Sequence, residues 1–227
     1  MTFSLAGLCP RTRRFGCALA TSSMAAGGRA PFVQPGVGSV LSQARSDPRL
    51  GALGLQALAA GRDAAQALSE MMASTPHAAW RQLAVLDLHG GTACFTGAQC
   101  TQAKGERQGE GVVVVGNGLA NATVLDAMQE AFAATPDADL AERLVAALEA
   151  GERAGGEAFP LRSASLMVAH PELPFLPVNL RVDFSDEPIA ELRRMLLAWL
   201  PMMDGYIMRC MDPERSPAAA AIEGHRA

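Results

Sequence analysis

The chain has 227 residues, 49% of them hydrophobic and 5% aromatic, with a formal net charge of −4. Such a length suits one sizeable domain or two small ones and buries about 70–75% of the extended surface, in a core drawn here mainly from Ala, Val, Leu and Met. The acidic balance excludes a nucleic-acid surface, which needs a basic stripe, and with no run of about 18 apolar residues there is no membrane-spanning helix.

Residues 3–8 form an apolar, strand-like run beginning just after Thr2. Cys9-Pro10-Arg11-Thr12-Arg13-Arg14 reads as a turn, and Phe15–Thr21 returns as a second strand, giving an N-terminal hairpin. The arginines of that turn interrupt the stretch where a signal peptide would need a continuous apolar region. After a Gly/Ala/Pro-rich loop, Gly36–Gln43 is a third short strand. From Asp47 to Ser74 the pattern turns helical, with a break at Gly61-Arg62-Asp63 that divides it into two helices. Residues 82–88 and 92–96 are strands joined by His89-Gly90-Gly91, with Asp87 and His89 as turn residues. Gly111–Val115 is a buried strand ending in Gly116-Asn117-Gly118. Helices follow over Asn121–Ala134 and Asp137–Gly151, the second with Asp137 as its N-terminal acid and Gly151 as its stop. Ser163–Ala169 and Val178–Phe184 are strands, and a last helix begins near Glu187 with Ile189, Leu192, Met195, Leu196 and Leu200 on one stripe. The order is strands, paired helices, strands, paired helices, strands, helix. Sheets packed between helix layers fit this order better than a doubly wound sheet. One domain over residues 1–212 and a flexible tail over 213–227 are expected.

Thr2 combines two groups. If Met1 is removed, its hydroxyl and a free α-amine sit on one residue. A hydroxyl is a poor nucleophile without an adjacent base, and an α-amine with a pKa of about 8 is such a base near working pH. The bland alternative is a chance Met-Thr start. Thr21 and Ser22, at the end of the strand paired with the N-terminus, are placed to position that amine. The Gly116-Asn117 turn can offer N–H groups and a carboxamide to a developing oxyanion, although Asn between glycines also suits a simple left-handed turn. The same segment nearly matches a dinucleotide loop, but Asn121 stands where the third glycine belongs and no second parallel strand follows. Thr96-Gly97 offers another hydroxyl at a strand end. Arg181 and Asp183 share one face of a strand, where they could hold a substrate's carboxylate and amine or simply pair with each other. Five scattered cysteines without a CxxC, and four histidines without paired spacing, give no metal site and suggest the reduced thiols of a cytoplasmic protein. No cofactor is implied. Met195, Met202, Met203, Met208 and Met211 form a Met-rich stretch that could pack a partner subunit in a homo-oligomer or belong to the core.

Thr2-Phe3-Ser4, Gly16–Thr21, Gly36–Gln43, Arg81-Gln82, Thr96-Gly97, Gly116-Asn117-Gly118-Leu119, Asp126-Ala127-Met128, Asn179–Asp183 and Pro188–Arg194 together resemble the domain-of-unknown-function 1028 family, which is grouped with the N-terminal nucleophile (Ntn) hydrolases. The likeness runs in order over roughly residues 2–200. It implies a four-layer αββα sandwich of antiparallel sheets and an N-terminal residue that attacks an amide bond. Carried over, Thr2 is the nucleophile, Gly116-Asn117 the leading oxyanion donor and Thr96-Gly97 a second one; Gln43 falls within the matched segments and joins the binding set. Thr21 stands where the family usually has Ser, Ser22 where it often has Arg, Ser23 where it has an aromatic, and Val115 where it has Gln. The expected activity is hydrolysis of a C–N amide bond in a small molecule or short peptide. The alternative is a catalytically silent binding or assembly module on the same fold.

Overall fold

The computed structural model describes residues 1–224. The hairpin forms as its pattern predicts: β1 (Thr2–Leu8) pairs antiparallel with β2 (Phe15–Thr21), Phe3 opposite Ala20 and Leu8 opposite Phe15. Every residue of both strands is buried, which is why the sequence lacks the apolar–polar alternation of a half-exposed sheet. β3 (Pro31–Gln34) and β4 (Gly38–Ala44) follow. Asp47 caps α1 (Pro48–Ala59) by accepting the Arg49 N–H, with Pro48 in the first turn. Asp63 and Gln66 form a capping box at the start of α2 (Ala64–Ala73).

β5 (Arg81–Asp87) and β6 (Thr92–Thr96) make the second hairpin. Its turn is tied by the Asp87 carboxylate, which accepts the N–H groups of His89 and Gly91, each at 2.9 Å. β7 (Lys104–Gly109) and β8 (Val112–Asn117) lead to α3 (Thr123–Ala134) and α4 (Leu140–Arg153), then β9 (Ser163–Ala169), β10 (Val178–Val182), α5 (Pro188–Met211) and α6 (Ala219–Ile222).

Several boundaries differ from the expected ones. α4 is capped by Asp139, which accepts the Ala141 N–H, and not by Asp137; it also runs past Gly151 to Arg153. α3 starts at Thr123, where Asn121 accepts the Thr123 N–H at 2.8 Å. α5 continues through Pro201 to Met211. Strands β3 and β7, absent from the sequence reading, are both sheet-edge strands. The tail expected over 213–227 carries α6, whose Ile222 lies against Gly205 of α5; residues 225–227 lie outside the described residues.

The fold is mixed α+β with two antiparallel sheets. The larger has the order β10-β9-β2-β1-β8-β7, the smaller β3-β4-β5-β6. Three apolar clusters hold them. One joins Phe3, Leu5, Val114 and Leu166 to Met128, Leu144 and Leu192 of α3, α4 and α5. A second joins Val40, Leu83 and Val85 to Leu50 of α1 and Met71 of α2. The third contains residues of both sheets, among them Leu8, Phe15, Leu41, Leu86 and Val113. Burial of this kind stabilises by about 25 cal/mol per Å² of apolar surface, and in the third cluster it joins side chains of the two sheets. No helix of the described residues is long and apolar enough to cross a membrane.

Candidate functional site

Because β1 lies between β2 and β8, its first residue meets the last residues of both neighbours. Thr2 pairs with Asn117, and the register that sets Phe3 against Ala20 brings Thr21 opposite Thr2. Thr2 is 7% exposed and Thr21 is fully buried. Their hydroxyl oxygens lie 3.4 Å apart. Thr21 Oγ donates to the Met1 carbonyl at 2.6 Å and accepts the Ser23 N–H at 3.1 Å. Thr2 Oγ also contacts the Met1 carbonyl oxygen. Two hydroxyls therefore bracket the carbonyl of the Met1–Thr2 peptide bond.

Behind this pair runs a buried chain of amides linking the two sheets. Ser4 Oγ donates to Gln43 Oε1 at 2.7 Å, and Gln43 Nε2 donates to Gln82 Oε1 at 2.8 Å. Gln82 Oε1 also accepts from Asn117 Nδ2 at 2.9 Å. Gln82 Nε2 faces the Gly116 carbonyl and the Thr96 hydroxyl, each at 2.9 Å, and the Gly105 carbonyl at 3.1 Å. Each of these amides satisfies the next, which is the condition for holding them in a core without a large desolvation cost. Gln82 is the hub, and the sequence reading did not single it out as a site residue. The available signal was a lone polar residue opening the apolar run Leu83–Leu86.

The arrangement constrains the oxyanion reading of the Gly116-Asn117 turn. One Asn117 Nδ2 hydrogen serves Gln82, and the Gly118 N–H donates to the Thr101 carbonyl at 3.0 Å. Among the described residues, Asn117 Oδ1 has no hydrogen-bond partner. The turn keeps one Nδ2 hydrogen to offer, and the Thr21 hydroxyl is the donor already aimed at a carbonyl beside Thr2.

A carboxylate also reaches this end of the sheets. Leu119 and Glu157 form an antiparallel bridge, reinforced by Ala120 N–H to Gly156 O at 2.9 Å and Ala158 N–H to Gly118 O at 3.1 Å. Glu157 is thereby laid beside the Asn117-Gly118 turn, 7% exposed. Its Oε2 accepts the Ser22 N–H at 3.0 Å, while Oε1 has no partner among the described residues. Burial pushes its carboxyl above the ordinary carboxylate range, opposed by the hydrogen bond from Ser22 and by the positive chain terminus. Nothing in the sequence marked it, since it follows a Gly-Gly loop far from Thr2 along the chain. Gly118 completes the corner at φ +65°, where a Cβ would lie 1.9 Å from Met1 Cγ. Only glycine leaves room for that side chain.

The remaining candidates spread outward. Ser22 enters through its backbone N–H. Thr96 joins through Gln82 and donates to Glu106. Gly97 packs against the 78–79 backbone, where a Cβ would meet the Ala79 carbonyl oxygen at 2.3 Å. Val115 belongs to the apolar cluster between the sheets, and Gln43 Nε2 lies 3.5 Å from its carbonyl. Arg181 of β10 pairs at 2.8 Å with Asp183, just past that strand's end, and β9 and β2 separate β10 from β1. Past the paired Gln43 and Gln82, a cavity of about 210 Å³ is lined by Arg45, His77, Trp80 and Arg81. Among the described residues no group of three or more His, Cys, Asp or Glu is placed to hold a metal ion. The five cysteines are all free, and burial raises the Cys17 thiol to about 12, leaving it inert.

The family of unknown function DUF1028 matches residues 2–192. A crystal structure of a Silicibacter pomeroyi protein assigned to the same family is 36% identical, covering 86% of this chain and 84% of that one with a TM-score of 0.80. Anbu (ancestral beta-subunit) from Yersinia bercovieri is 12% identical over 88% of this chain and 98% of its own, with a TM-score of 0.40. Anbu from Hyphomicrobium sp. strain MC1 is 10% identical over 96% and 99%, with a TM-score of 0.42. No curated protein matches the chain.

Proposed function

The chain belongs to this family of unknown function, and on that premise we propose that it is an Ntn-type amidohydrolase with Thr2 as nucleophile, acting once the Met1–Thr2 bond is cleaved. The observation that carries the reading is the Thr2 hydroxyl, buried beside Thr21 Oγ and touching a carbonyl oxygen. The finer architecture we read is a four-layer αββα sandwich. It is supported by the three clusters, one between the sheets and one joining each sheet to its own helices.

In the proposed reaction Thr2 Oγ attacks the amide carbonyl carbon while its proton passes to the Thr2 α-amine. The tetrahedral oxygen takes hydrogen bonds from Thr21 Oγ and the spare Asn117 Nδ2 hydrogen. The C–N bond then breaks as the α-ammonium gives its proton to the leaving nitrogen, leaving an ester on Oγ. Water attacks that ester, again losing its proton to the α-amine, and the acid departs as Oγ regains a proton. Holding hydroxyl and amine on one residue removes the entropy cost of bringing nucleophile and base together.

Intact mass first establishes that Met1 is absent. An amide screen with this Met1-free protein and its Thr2→Ala variant then reads the chemistry; loss of about 10⁴-fold or more in kcat/KM is expected for the variant. Equal rates for the two would instead favour a silent binding or assembly module. That second reading has its own support, since most polar groups of the Asn117-Gly118 turn are already bonded within the protein.

A further inference from the structure

In this structure Met1 occupies a built corner. Its carbonyl oxygen takes the Thr21 hydroxyl at 2.6 Å and touches Thr2 Oγ. Its side chain lies over Gly118, the position that tolerates no Cβ. Its positive terminus acts on Glu157, whose nine-tenths-buried side chain keeps Oε1 without a hydrogen-bond partner among the described residues. A buried carboxylate with a free oxygen is costly unless a donor or a cation meets it.

Stereochemistry links this corner to the proposed acyl-enzyme. An acyl group on Thr2 N and the same group on Thr2 Oγ interconvert through a five-membered ring of N, Cα, Cβ, Oγ and the carbonyl carbon. The two positions therefore share nearly the same volume. Whatever acyl group the hydroxyl carries falls where Met1 now sits.

Resting on the amidohydrolase reading, we infer that the vacated Met1 corner is the acyl subsite and selects α-aminoacyl amides: acyl groups with a free α-ammonium held by Glu157 and a slender, unbranched apolar side chain laid over Gly118. Short peptides with a free N-terminus and amino-acid amides belong to this class. N-acylated amides do not, because they would bury Glu157 without a cation. A side chain branched at Cβ would press on the Gly118 backbone.

Binding tests the corner separately from catalysis. The Met1-free Thr2→Ala protein, which cannot turn substrate over by this route, is titrated calorimetrically with L-methionine amide and with N-acetyl-L-methionine amide. The expected result is at least about tenfold tighter binding of the free amine, the scale of one charge-assisted contact, falling toward equal affinities when Glu157→Gln is added. Equal or tighter binding of the acetylated ligand, or no binding of either, overturns the inference, and the first comparison does not depend on how the Glu157 variant folds. Turnover is then read in Met1-free wild type with L-methionine p-nitroanilide and its N-acetyl form. Selective binding without turnover supports the subsite and sinks the hydrolase reading. Preferred turnover of the acetylated substrate does the reverse.

Discussion

The two ends of the interface between the sheets are built from the same strands and the same strand faces, yet differ in chemistry. At one end the facing residues are Leu8, Phe15, Leu41, Leu86 and Val113. At the other, positions of the same parity on those strands are Thr2, Thr21, Gln43, Gln82 and Asn117, all buried. β9 repeats the change from Ala169 to Ser163. The apolar end stabilises simply by leaving water. The polar end exchanges water's hydrogen bonds for internal ones and gains little net from the exchange. A fold seeking stability alone would continue Leu and Val to the end of each strand. Six strands turn polar together around the first residue of β1, a choice that packing alone does not favour.

If the comparison holds, substitutions at the two ends separate activity from stability. The largest effect is Thr2→Ala in the Met1-free protein, with kcat/KM lower by about 10⁴-fold, or about 5 kcal/mol of barrier, while the urea midpoint hardly moves. Phe15→Ala at the apolar end gives the opposite result. It costs about 3–5 kcal/mol of stability, read by urea unfolding, and leaves activity per folded molecule unchanged. A large rate loss at Phe15 with intact folding would erase the distinction. Gln82→Leu comes next. It fills the space but strands Asn117 Nδ2 and the Gly116 carbonyl, at about 1–3 kcal/mol for a buried group left unpaired.

Glu157 gives a pH signature that belongs to the polar end alone. Its folded pKa is raised by burial, so the folded state holds the proton more tightly than the unfolded one. Its contribution is therefore fully present at pH below the ordinary glutamate value and declines as pH rises from there through the raised folded value. Unfolding free energy measured across that window should fall less with pH in Glu157→Gln than in wild type. Parallel curves would show that the carboxyl titrates normally.

Much of this was legible in the sequence, for reasons that also mark the limits. β1, β2 and β8 announced themselves because strands buried on both faces must be apolar throughout. β7 did not, because Lys104-Gly105-Glu106-Arg107-Gln108-Gly109 is an edge strand whose charged side chains reach water and neighbouring loops. Asp137 and Asp139 both satisfy the rule for a helix start, and only the chain's path selects the second. Thr2 and Thr21 could be grouped because strand ends in a hairpin meet predictably, while Asn117 entered through its glycine turn and the family resemblance. Gln82 and Glu157 could not. The first acts through partners on four other strands, and the second is brought in by a loop more than 150 residues from Thr2.

The smallest expected effect tests how far the site extends. By sequence, Arg181 and Asp183 share a strand face that could hold a substrate or simply form an ion pair, and in the structure they pair with each other at 2.8 Å with side chains 40% and 48% exposed. An ion pair this open contributes about 0–1 kcal/mol and weakens with salt. Two strands stand between it and Thr2, so Arg181→Ala should shift stability by under about 1 kcal/mol and leave kcat/KM for a methionine amide within about threefold. A larger loss confined to substrates with a carboxylate beyond the scissile bond would extend the site along the larger sheet toward β10. The leaving group would then be what Arg181 holds, while the corner at Gly118 and Glu157 keeps the acyl end.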